Sequence, residues 1–321
     1  MAIFALSSNW KLKQFLHMSV FPTGRNPFRL SGTAGPTAAI AFASILWGLY
    51  WAPVRALQDA GLDALSAAAV LNVSGAVLML PLLLRTGLPG LGSLPAGLLV
   101  GTAMTLYSVA LGLTTVANAA LLFYLTPLWS TILGILTGIE RPGLTRAAAL
   151  ILSLAGLWLI LGGDSLLPQL TNGGDIAALA SGLLWSVASL RLFGGDRNDS
   201  VAVCFWSLVA GGVLLGGWLL AVPAANAPAI VTADLPLPLI IGGAMIALLL
   251  LLTVRGARDL PPARVGILLM GEIVIGIGSA AIYAGEIPPA TTLAGGVAVI
   301  GAAFVEIFGG RKTGTKKNPE V

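Results

Sequence analysis

Charge is what this chain has least of. Asp, Glu, Lys and Arg make up 9% of its 321 residues, against about a quarter in an ordinary globular domain, so a water-soluble fold is excluded. A single histidine, His17, and a single cysteine, Cys204, narrow the chemistry further. One imidazole in a front tail cannot serve a Ser–His dyad or an HExxH zinc helix inside a membrane, and one thiol builds no disulfide framework. Every Asp falls at the end of an apolar stretch or between two of them, which leaves no embedded pair for an aspartyl protease. No GxxxxGK[ST] run occurs, so no ATP site is expected. Enzymatic activity, a cofactor, a metal site and a nucleic-acid partner are all absent from the expectation.

What the chain has in abundance is apolar length. Hydrophobic residues are 57% of the total, and crossing the ~30 Å hydrocarbon layer takes about 20 of them in a helix. Ten such stretches are predicted, near 37–57, 64–85, 95–114, 116–138, 143–162, 175–193, 200–223, 235–256, 260–284 and 289–309. The run from Asn9 to Val20 is interrupted by Lys11 and Lys13, so no cleaved signal is expected; that segment is read as a disordered tail or an interfacial helix.

The few charges are distributed unevenly. With residues 1–36 placed in the cytoplasm, all of the seventeen Lys and Arg except Arg55 fall on the inner side, while Asp59, Asp63, Asp164, Asp175, Asp234 and Glu286 fall on the outer side. Basic residues are retained on the cytoplasmic face, and a miscounted span would scramble the pattern at the point of error. Ten spans with both termini inside follow, in a multi-pass protein of the bacterial inner membrane.

The chain also repeats itself. An offset of 146 residues lays Thr126-Pro127-Leu128 through Glu140-Arg141-Pro142 on Glu272-Ile273-Val274 through Glu286-Ile287-Pro288, and Ala155-Gly156 on Gly301-Ala302. An offset of 138 lays Leu46-Trp47-Gly48 on Leu184-Trp185-Ser186. Five spans are thus repeated, and because five is odd the second copy enters the membrane from the opposite face. The expected fold is all-α, two inverted five-helix repeats around a central cavity, a transporter device. The repeats are assigned to 37–162 and 163–309, with tails at 1–36 and 310–321.

These residues carry a resemblance. Trp47-Gly48, the Pro127-to-Glu140 spacing followed by Ala155-Gly156, and the second copy at Trp185 and Glu286 resemble the drug/metabolite transporter superfamily, in its ten-helix branch of two EamA-type halves. Tyr124-Leu125-Thr126-Pro127 and Leu161-Gly162-Gly163-Asp164 look like YddG-type bacterial exporters of aromatic amino acids. The resemblance implies a ten-helix basket that exports small metabolites. The second half departs from the pattern at Ile273, which stands where a Pro matching Pro127 is expected, with Glu272 beside it.

Glu272 is the principal candidate for chemistry. It lies at the centre of the ninth predicted span, about 18 Å from either end at 1.5 Å per residue, too deep to reach water. An acid there costs roughly 2.5–3.5 kcal/mol and tends to mark a transport pathway. No Lys, Arg or His lies at similar depth. The expected roles are proton coupling or anchorage of a substrate ammonium; a protonated acid bonded to a neighbouring carbonyl or hydroxyl is the structural alternative.

Trp47, Tyr50 and Trp51 share a face of the first span by helical spacing, and Tyr107, Tyr124, Trp129 and Trp185 also sit away from span ends, whereas Trp and Tyr usually collect at the interfaces. Such rings can wall a cavity and hold a cation, or simply pack. Substrate contacts are expected from Trp47, Tyr50, Asn72, Tyr107, Tyr124, Trp185 and Glu272. Thr105, Ser108 and Thr126 are further hydrogen-bonding candidates that can equally bond their own helix. Pro127 is expected to kink the fourth span and act in gating. Gly134 with Gly138 and Gly212 with Gly216 read as helix packing, and Glu306 as an inner-end residue that reaches water.

The functional expectation is a secondary transporter, working as a monomer in the lipid bilayer, that exports small molecules by alternating access. The solute is held between the first, third, fourth, sixth and ninth spans. Amino acids, aromatic and apolar ones above all, are the first substrate class, and quaternary amines or drug-like cations exchanged for protons are the alternative. A channel is the remaining rival.

Overall fold

Backbone N–H and C=O groups cannot be left open in hydrocarbon, so an apolar chain of this composition must close its hydrogen bonds within helices. The computed structural model describes residues 33–140, 143–162, 170–193, 200–221, 234–284 and 288–309. The front and back tails, Gly163-Asp164 and Glu286 lie outside them. The described residues form thirteen α-helices. These are α1 (Ala34–Leu49), α2 (Trp51–Asp59), α3 (Ala64–Thr86), α4 (Leu94–Leu113), α5 (Val116–Phe123), α6 (Thr126–Leu136), α7 (Leu144–Ile160), α8 (Gly173–Leu192), α9 (Ser200–Ala221), α10 (Pro236–Asp259), α11 (Pro262–Leu269), α12 (Gly271–Ala284) and α13 (Ala290–Gly309).

They build ten spans, because three pairs are single spans broken in the middle: α1 with α2, α5 with α6, and α11 with α12. Nine spans are at least 18 residues long, and α7 is a shorter apolar helix. Large apolar side chains point outward along the bundle, among them Leu84, Leu144, Leu220 and Val297, a surface suited only to lipid.

The breaks have local causes in two cases. Pro53 and Pro127 lack the N–H that would continue the preceding turn, and the helix gives way just ahead of each, at Tyr50 and at Tyr124–Leu125. The fourth span therefore bends, with Pro127 as the second residue of its new helix. The ninth span breaks at Met270 with no proline beside it. Met270 stands 146 residues beyond Tyr124, and α11 occupies the positions of α5 shifted by that number.

Packing follows the same exchange. Span 8 lies on spans 1 and 2 as span 3 lies on 6 and 7; span 1 lies on 9 as 6 lies on 4; spans 2 and 7, 4 and 9, and 5 and 10 pair across the halves. Single contacts repeat too. A Cβ on Gly48 would lie 2.6 Å from the carbonyl oxygen of Glu272, and its counterpart Ser186 donates to the carbonyl of Thr126 at 3.2 Å. Ser44 donates to the carbonyl of Leu269 at 3.4 Å, while a Cβ on its counterpart Gly182 would lie 2.7 Å from the carbonyl of Phe123.

Gly156 lets spans 5 and 10 touch backbone to backbone, since a Cβ there would lie 2.7 Å from the carbonyl of Gly295. Gly156→Val should therefore lower the thermal unfolding midpoint in detergent by several degrees, a loss of about 1–3 kcal/mol from overpacking. An unchanged midpoint would show that the two spans part freely. Gly212 packs on span 2 as expected, a Cβ there lying 2.9 Å from Val73 Cγ2, but the other three small residues differ from the sequence reading. Gly134 makes room for Glu140 rather than for another span, Gly138 takes φ 75° at the end of the fourth span, and Gly216 meets nothing within 4 Å.

Glu306 does not reach water. It is 5% exposed and pairs with Arg146 at 3.2 Å, and Arg146 also holds Glu140 at 2.8 Å. Glu140 in turn accepts the backbone N–H of Ala263 at 3.2 Å, tying the end of span 4 to the start of span 9. Burial pushes the Glu140 carboxyl up to about 7, against the opposing pull of Arg146 and the Ala263 N–H.

Candidate functional site

The broken spans cross near the centre of the bundle and leave a hollow of about 60 Å³. Spans 1, 3, 4, 6 and 9 line it through Trp47, Met104, Tyr107, Phe123, Tyr124, Thr126, Trp185, Gly266, Leu269 and Glu272. At roughly 10–15 Å³ of free space per water, it holds only a few solvent molecules. Each wall follows from the chain's local geometry. Gly48 brings span 1 onto the start of α12, which presents Trp47; Gly266 lies against the Pro127 ring, with a Cβ there 3.2 Å from Pro127 Cγ; and Gly182 admits span 6 against the end of α5, which presents Trp185, 3% exposed.

Glu272 sits in the first turn of α12, where the partial positive charge of a helix N-terminus favours an acid. Its carboxyl accepts a hydrogen bond from the hydroxyl of Tyr124, a residue buried on the facing break. The rings form a connected wall: Tyr107 lies 4.4 Å from Phe123 between centroids, and Phe123 lies 5.1 Å from Tyr124 in edge contact. The lining contains one ionisable acid and no Lys, Arg or His. No group of three or more His, Cys, Asp and Glu side chains suited to a metal occurs among the described residues.

Five of the seven expected substrate contacts thus meet at the hollow: Trp47, Tyr107, Tyr124, Trp185 and Glu272. Tyr50 packs edge-on against Trp47 at 5.9 Å, and its hydroxyl is enclosed without a partner. Asn72 donates to the carbonyl of Ala68 at 2.8 Å and lies against Gly211 of span 7. The break at Tyr50 turns Trp51 away, and its indole donates to Ser279 at 2.9 Å.

Thr126 lines the hollow while donating to the carbonyl of Phe123, and Ser108 bonds its own helix at Met104. Thr105 is buried without a partner for its hydroxyl, as is the Trp129 indole N–H. Met104, Phe123, Gly266 and Leu269 were not legible as lining residues, because nothing in an apolar span distinguishes a cavity wall from a packing face.

Apolar helices long enough to cross a membrane thus enclose a hollow whose lining holds a single acid, at a helix break. The family comparison finds that residues 37–162, the first five spans, match the EamA-like transporter family. A search of curated proteins gives no match. Among solved structures, one described only as the crystal structure of a protein is similar in fold, with TM-score 0.71 at 19% identity, covering 89% of this chain and 100% of that one.

Proposed function

We propose that the protein is a secondary carrier that exports small apolar or aromatic organic amines, amino acids among them, by alternating access around Glu272. The observation that carries this reading is the lone carboxyl set among aromatic rings where broken helices of both halves meet, the arrangement of midplane sites in transporters built from inverted repeats. A carboxyl is a natural partner for an ammonium, and the π faces of Trp and Tyr attract cations. The likeness of Tyr124-Leu125-Thr126-Pro127 to YddG-type exporters supports the same flat, apolar skeletons.

A hollow of about 60 Å³ is smaller than such a solute, so the halves must part on one face to admit it and on the other to release it. Inverted halves can exchange those shapes. The charge pattern supports a bacterial inner membrane with both termini inside, and a proton entering down its gradient in exchange for the solute would drive export.

Uptake into proteoliposomes of labelled amino acids and quaternary amines, with and without a pH gradient, tests the reading; no flux above protein-free vesicles for any of them would end it. Trp47→Ala, Tyr107→Ala and Trp185→Ala should each weaken solute affinity about tenfold, the loss of a desolvated cation–π contact or its apolar equivalent, while inserting normally. Undiminished affinity would make those rings packing residues.

A further inference from the structure

We infer that the cavity selects an organic monocation without a carboxylate, so that amines are carried in preference to the amino acids built on the same skeletons; this rests on the carrier reading above. The argument is one of charge. Glu272 is the single charged group that lines the hollow, and no Lys, Arg or His joins it. An ammonium beside that carboxylate sums to zero, whereas a zwitterion leaves one negative charge uncompensated in a desolvated site, which is the costly case.

Two of the neutral donors that might replace a cation are already engaged. The Tyr124 hydroxyl donates to Glu272 itself, and the Thr126 hydroxyl donates to the carbonyl of Phe123. The two helix starts at the hollow are both weakened as sites for a second anion. The positive end of α12 faces Glu272 in its own first turn, and α6 opens on Thr126-Pro127, where the proline has no N–H to give. The indoles of Trp47 and Trp185 and the hydroxyl of Tyr107 remain, and all three are neutral. The ring wall of Tyr107, Phe123 and Tyr124 suits a cation with an apolar body.

The test pairs compounds that differ in the carboxylate. Tryptamine, L-tryptophan, L-tryptophan methyl ester, phenethylamine and L-phenylalanine are titrated calorimetrically into the full-length protein in nanodiscs and compared as counterflow substrates in proteoliposomes. The ester keeps the bulk of the amino acid and loses its negative charge. Both amines and the ester should bind at least tenfold more tightly than the parent amino acids, and Glu272→Gln should erase the difference. Amino acids that bind as tightly as their amines, or an ester no better than its acid, would overturn the inference and leave the carrier reading standing. Failure of all five compounds to exchange would overturn both.

Discussion

Replacing Glu272 by Gln is expected to bring pH-gradient-driven accumulation down from about tenfold to unity. One pH unit is worth about 1.4 kcal/mol, which supports roughly tenfold accumulation when one proton is exchanged for one solute. The exchange needs a group that holds either a proton or the solute's ammonium, and Glu272 is the single candidate in the lining. Glutamine keeps the shape and the hydrogen bond to Tyr124 but cannot ionise.

Counterflow at saturating solute should persist in the variant, because the aromatic walls and the paired halves are untouched. If the exchanged solute is a monocation, the wild-type reaction moves no net charge, and a potassium diffusion potential should not alter it. Undiminished gradient-driven accumulation in the Gln variant would discard coupling through this residue.

The second large effect concerns stability. Arg146→Met should lower the unfolding midpoint in detergent by roughly 5–10 °C, because removing one partner of a buried ionic cluster costs about 3–5 kcal/mol. Arg146 lies between Glu140 and Glu306, at 2.8 and 3.2 Å, and both acids are almost wholly withdrawn from solvent. Without the guanidinium, the carboxyl groups of Glu140, just past span 4, and Glu306, near the end of span 10, lose the cation they share. Adding Glu140→Gln and Glu306→Gln should restore most of the loss, since the penalty is that of uncompensated charge. An Arg146→Met midpoint equal to wild type would show that water already screens the cluster.

Much of this architecture was legible beforehand, for identifiable reasons. Ten spans could be placed because hydrocarbon thickness sets helix length and because polar punctuation separates the runs; the observed ends fall within about three residues of those expected. The 146-residue offset recurs in the breaks at Tyr124 and Met270 because the same helical register was kept while the sequence drifted. The break at Met270 itself had no signal, since Ile273 removes the proline that marks its counterpart.

The site was partly legible. Glu272, Trp47, Tyr107, Tyr124 and Trp185 stood out as polar or amphipathic residues far from any interface. Their apolar companions did not. In a soluble helix the polar face shows which side is buried, but a membrane helix is apolar toward lipid, toward neighbours and toward a cavity alike, so Phe123 and Leu269 resemble any other large residue. Asn72 shows the converse: its amide satisfies itself on the carbonyl of Ala68, an option that composition cannot distinguish from a ligand contact.

The break at Tyr50 has no twin, for α8 runs unbroken from Gly173 to Leu192 where the other half divides its first span ahead of Pro53. In a perfectly duplicated carrier the two facing states would be degenerate, each being the other turned over, and the empty protein would dwell equally in both. A hinge present in one half alone lifts that degeneracy. In a carrier of the kind proposed, Pro53 is one of the residues that set the two facing states apart in energy.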